Sequence, residues 1–113
     1  MSFDIIVIQP TNLNAESLND VREVSPMGDA ESVRRIFEAK FPESTTGLFV
    51  NCEEYSLEVT LANDPVSSAH IALRSSQAWS TSSLEQFIAR LVELCGHLQC
   101  VAFAVSDNSR LAP

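Results

Sequence analysis

The sequence predicts an α+β fold: a single domain in the order β-α-β-β-β-α-β, with two helices on one face of a five-stranded sheet, mixed or mainly antiparallel. Three observations lead there. Two segments carry apolar residues at helical spacing, Val33-Ile36-Phe37-Phe41 and Leu84-Phe87-Ile88-Leu91-Leu94-Cys95-Leu98. The stretch Tyr55 to Leu61 alternates strictly between apolar and polar residues, the period of a half-buried strand. Apolar runs near both ends of the chain read as strands covered on both faces. Helices with one apolar stripe each cannot bury it alone, and the economical arrangement lays both on one side of a common sheet.

The elements follow in order. Phe3 to Gln9 is a nearly unbroken apolar run and is expected to be a central strand, closed by Pro10, which has no amide to donate to a ladder. Thr11 to Pro26 is polar, with Leu13, Leu18, Val21 and Val24 as its few anchors. It reads as a long connection, a place for function or mobility. Asp29 is a good N-cap for the first helix, Glu31 complements its dipole, and Pro42 ends it by pushing the preceding residue out of helical conformation. Gly47 to Cys52, Tyr55 to Leu61 and Ala69 to Ser75 read as successive strands, with turns at Glu53-Glu54 and Asn63-Asp64-Pro65. Pairing Leu61 near Ala69 sets Glu58 opposite Ala72 and diagonal to His70 and Arg74 on the polar face.

Two starts compete for the second helix. Ser82 with Glu85 fits a capping box, whereas a start at Ser80 puts Trp79 and Leu84 in hydrophobic-staple positions. The helix then runs to Cys95–Leu98, with Gly96 as a terminating signal. Cys100 to Val105 is the last strand, and Ser106 to Pro113 is expected to fray.

Composition narrows the function classes. Fifteen acids against seven bases give a formal charge of −8. That opposes phosphate-tracking nucleic-acid binding and attraction to anionic membranes. No stretch approaches the ~20 apolar residues of a membrane span, and Met1-Ser2-Phe3-Asp4 is unlike a signal peptide, so a cytoplasmic protein is expected. Cys52, Cys95 and Cys100 are odd in number and lie in apolar settings, which fits reduced thiols.

Enzymes need a nucleophile with its base, a carboxylate pair or a metal cluster. The chain has no glycine-rich phosphate loop, nucleophile elbow or HExxH motif, and only two histidines. No catalytic residue, cofactor or metal ligand is therefore assigned. Glu58, His70 and Arg74 are the nearest polar constellation, and ordinary cross-strand charge pairing explains them better than acid–base or anion-binding chemistry, since an open sheet face lacks the concavity that sites prefer. His97, near a helix C-terminus, fits a dipole contact. Glu43, Glu53, Glu54 and Glu58 gather around neighbouring strands, and Asp20, Glu23, Asp29 and Glu31 form a second acidic group. Such groups serve solubility or steer a cationic partner. Phe49 and Trp79 are either core or, if exposed, anchors for that partner.

The opening Phe3-Asp4-Ile5-Ile6-Val7, the alternating Tyr55-Ser56-Leu57-Glu58-Val59, the Asp64-Pro65-Val66-Ser67-Ser68 leading into Ile71-Ala72-Leu73-Arg74, and the final helix and strand cover most of the chain. Together they resemble the small standalone acidic α/β proteins of bacteria, some of which are immunity proteins that neutralise a toxin. The resemblance implies a binding protein without catalysis and transfers no functional residue. The expected function is thus protein binding, through Glu43, Glu53, Glu54, Glu58, Phe49 and Trp79, to a partner that is basic. A homo-oligomeric accessory protein, a homodimer for example, is the alternative.

Overall fold

The computed structural model describes residues 2–113 and shows an α+β fold of two helices and an antiparallel sheet. The sheet has seven strands where five are expected. They are β1 (Ser2–Pro10), β2 (Val24–Ser25), β3 (Phe49–Asn51), β4 (Tyr55–Ala62), β5 (Ser68–Ser75), β6 (Val101–Ala104) and β7 (Arg110–Ala112). Their spatial order is β3-β4-β5-β1-β6-β7, with β2 pairing the end of β1, and every pairing is antiparallel. The chain lays the β3-β4-β5 meander first against β1, then adds β6 on the other side. β1 is thus central, as its unbroken apolar run requires.

The two additional strands come from segments read as a loop and a fraying tail. Val24–Ser25 pairs Pro10 and Gln9. Arg110–Ala112 turns back on β6, and Ala112 is fully buried. Periodicity cannot reveal strands of two or three residues, because they are shorter than one repeat of the pattern.

The register of β4 against β5 is the expected one, Leu61 opposite Ala69 and Glu58 opposite Ala72. It puts Tyr55, Leu57 and Val59 beside Ile71 and Leu73 on one face, with Ile5 and Val7 of β1. Both helices cover that face. α1 (Ala30–Lys40) starts at Asp29, whose carboxylate accepts from the Ser32 amide at 3.0 Å, and ends at Phe41 before Pro42. It contributes Val33, Phe37 and, from its C-cap, Phe41 to the core.

α2 (Thr81–Leu98) takes the Ser80 start. Ser80 and Ser83 exchange side chain–backbone hydrogen bonds as a capping box, and Trp79 and Leu84 take the staple positions. The helix passes through Gly96 and stops after Leu98, where Gln99 adopts left-handed φ of 54°. Gly96 is therefore not the terminator. The strongly apolar Val101–Ala104 strand fixes where the chain must leave the helix, and Gln99 accepts the uncommon conformation.

The opposite face is open over β4 and β5 but not over β1 and β6. There Ile8, Val101 and Phe103 form a second core with Ala15, and Ile6, Leu18 and Val21 pack against it. The 11–23 segment is thus a cover, not a free loop. Its short 3-10 turn (Leu18–Asp20) is pinned by the Leu18 amide donating to the Asn108 carbonyl at 2.8 Å. Arg110 pins it further, donating to the carbonyls of Leu13 and Ala15 at 2.8 Å each.

Candidate functional site

The open face carries the polar constellation. Glu58, His70 and Arg74 share it, brought together by the β4–β5 register. Arg74 reaches Glu58 at only 4.0 Å, and His70 pairs instead with Asp4 of β1 at 3.3 Å. Asp4 went unnoticed in the sequence because its neighbour depends on which strand β5 adds to. All four side chains are about half exposed, so these pairs are weak. Glu58, His70 and Arg74 do not line the apolar groove described below. Among the described residues no three His, Cys, Asp or Glu side chains converge as metal ligands.

The proposed acidic set is spread over three segments of the fold. Glu58 lies mid-strand on the open face. Glu43 sits in the turn after α1, where its amide donates to Glu38 at 2.7 Å. Glu38 also accepts from the amide and hydroxyl of Thr45, and these hydrogen bonds hold its carboxyl below the usual carboxylate range. Glu53 is exposed in the β3–β4 turn.

Glu54 is different. Its carboxylate accepts from the buried Ser83 hydroxyl at 2.5 Å, so it fastens the turn to the first turn of α2. Backbone bonds reinforce the link, Ser76 to Glu54 and Ala78 to Glu53. Glu54 is a structural group, and a turn position alone does not make it dispensable.

Phe49 and Trp79 are both half-buried against the core. Phe49 packs edge-on to Phe41 with ring centres 5.5 Å apart, and the Arg90 guanidinium lies 5.6 Å above its ring. Trp79 stands edge-on to the buried Tyr55 at 5.6 Å. Neither is a free-standing anchor, but Trp79 borders a concavity on the helix face. This apolar groove of about 370 Å³ is walled by Phe3, Trp79, Leu84, Ile88 and Leu111 over a floor of Leu73 and Phe87, with Ser75 as its one polar lining residue. The sequence reading assigns Phe3 to a strand and does not single out Phe3 or Leu111 as site residues. Their meeting depends on the tail forming β7, and only the staple pairing of Trp79 with Leu84 hinted at the site.

Most of the cations have a partner within the chain. Arg35 pairs with Glu31, Lys40 with Glu93 and Arg74 with Glu58. Arg90 covers Phe49, and Arg110 donates to three backbone carbonyls. Of the seven Lys and Arg residues only Arg22 and Arg34 make none of these contacts.

Comparison of the chain with known protein families, with curated proteins and with solved structures returns no match. What fold and surface define is a class: an acidic α+β domain with an antiparallel sheet, a polar sheet face and an apolar groove. Among the described residues no helix is long and apolar enough to cross a membrane.

Proposed function

We propose that this protein is a cytoplasmic protein-binding module for a basic partner, an immunity-type inhibitor of a basic toxin being the most specific form of that reading, and that it performs no catalysis. The distribution of charge carries the proposal. Five of the seven cations have a partner within the chain, whereas Glu16, Asp20, Glu23, Glu43, Glu53 and Glu85 are exposed and meet no cation within salt-bridge distance among the described residues. The outward field is therefore negative in excess of what most surface pairs cancel. Such a field raises the encounter rate with a basic partner and suppresses acidic ones.

The test starts with affinity capture on the immobilised protein to supply a partner. Stopped-flow association is then measured at two ionic strengths for wild type and for Glu43→Lys/Glu53→Lys, which leaves the structural Glu54 untouched. The expected result is slower association in the variant and at high salt. A rate independent of both refutes the reading. The homo-oligomeric alternative is favoured by the short edge strand β3, where Val50 is 58% exposed. It requires concentration-dependent sedimentation of the protein alone.

A further inference from the structure

Cys95 and Cys100 stand at the two ends of one backbone hydrogen bond. Gln99, in left-handed conformation, turns the chain out of α2, and the Cys100 amide donates back to the Cys95 carbonyl at 3.0 Å. The Gln99 amide donates to the same carbonyl. A bond from a residue to the carbonyl five before it marks a Schellman-type helix end, and that turn brings the side chains of those two residues together. The bond also limits their spacing. Each Cα lies about 2.4 Å from its own carbonyl oxygen and about 1.5 Å from its own amide nitrogen, so the two Cα atoms stay within about 7 Å even if every angle were straight. Ordinary hydrogen-bond angles pull them below that, into the range a disulfide spans.

The side chains meet as the turn requires. The two thiols share a hydrogen bond, and both residues are buried in the main core. A pair of small apolar residues would fill the same space. Two sulfurs can in addition be joined, across a turn the backbone already makes. The third cysteine, Cys52, is exposed just after β3.

We infer that Cys95 and Cys100 are a redox-responsive dithiol, which a low-molecular-weight disulfide such as glutathione disulfide closes into an intramolecular bond, stapling the end of α2 to the entry of β6. The inference is independent of the basic-partner reading. In a reducing compartment the pair stays open, and it closes when the thiol–disulfide balance turns oxidising.

Closure takes two exchanges. One protein thiol, once deprotonated, attacks the reagent: the reagent's S–S bond breaks, a mixed disulfide forms and one reagent thiolate leaves. The second protein thiol, deprotonated in turn, attacks the protein sulfur of that mixed disulfide and displaces the other reagent thiolate. The protein gives up two electrons and two protons, and the reagent takes them as two thiols. The shared hydrogen bond and burial push the Cys100 thiol far up, so little thiolate stands ready in the packed state. Closure therefore begins with transient opening of the helix end and takes hours, far longer than reaction at Cys52.

The test uses Cys52→Ser, an exposed position whose substitution is expected to leave the fold intact, as circular dichroism checks. Wild-type protein alkylated at Cys52 in the native state gives a second reading. Each is brought to equilibrium in glutathione buffers of graded composition, once native and once in urea, then acid-quenched for mass spectrometry and peptide mapping. The native product should be lighter by two hydrogens, carry no glutathione and map to a Cys95–Cys100 bond. The ratio of squared glutathione to glutathione disulfide at half-closure should be about tenfold or more higher for the native protein than in urea, because the fold holds the two thiols together. Half-closure at the same or a lower ratio than in urea overturns the inference. So do glutathione adducts at Cys95 or Cys100 as the native end product, and so do native thiols still free in buffers that close the denatured chain.

Discussion

Replacing Arg110 by Met tests whether one side chain holds the 11–23 segment and the C-terminal strand to the sheet. The guanidinium donates to the carbonyls of Leu13 and Ala15 at 2.8 Å and, through Nε, to Pro113 at 3.0 Å. Met keeps most of the apolar stem and removes all three donors. Hydrogen bonds from a charged donor contribute about 1.5–3 kcal/mol when shielded and less in water. Two of these three are exposed and only the one to Ala15 is partly buried. The sum is therefore about 2 kcal/mol, well under three full contributions. For a domain of this length that lowers the melting temperature by about 10 °C and the urea midpoint by about 1 M. Urea unfolding followed by circular dichroism gives the free energy. Amide exchange should show where it is lost, with faster exchange at Leu18 and Arg110, whose amides donate to Asn108 and Glu16 across the same junction. Arg110→Lys should recover only part, because one ammonium nitrogen cannot replace both Nη1, which serves Leu13 and Ala15, and Nε, which serves Pro113. A loss below about 0.5 kcal/mol, with exchange unchanged, refutes the argument and returns the 11–23 segment to the status of a loosely tethered loop.

Three further outcomes are expected. Leu91→Ala should cost about 2–5 kcal/mol by urea unfolding, because Leu91 is fully buried midway along α2 and its removal leaves a cavity. Titration with an aromatic disulfide should find one fast thiol in the native protein, Cys52, and two more only on unfolding. The hydrogen bond with Cys95 and burial push the Cys100 thiol far up, so little thiolate exists to react. Acid should erode stability through Glu38. Its folded carboxyl titrates below the usual 4.5, so the contribution is complete above that value and is lost as pH falls through the lower folded one. Thr45→Val, which removes the hydroxyl that donates to this carboxylate, should flatten the acid limb of stability against pH below about pH 5.

Patterns long enough to repeat were legible in the sequence. The alternation of Tyr55 to Leu61 set the face of β4 and, with Ala69 to Leu73, the register that places Glu58 opposite Ala72. The stripes of the two helices, the Asp29 cap and the stop at Pro42 are local devices, written within a few residues of where they act. Charge is additive, so the −8 was known without any fold. The remainder depended on which distant segments met. Three-residue β7 has no period of its own and exists because Leu111 and Ala112 have α2 and β6 to pack on and Arg110 has carbonyls to bind. Glu54 looked like a surface acid until α2 brought Ser83 to it. His70 found Asp4, not Glu58, because β1 inserted beside β5. The groove joins Phe3, Leu84 and Leu111 from opposite ends of the chain. Hydrophobic patterning says which side chains must leave water, but not beside whom. That choice is made by packing and backbone hydrogen bonding across the whole sheet, a global condition that no local window contains.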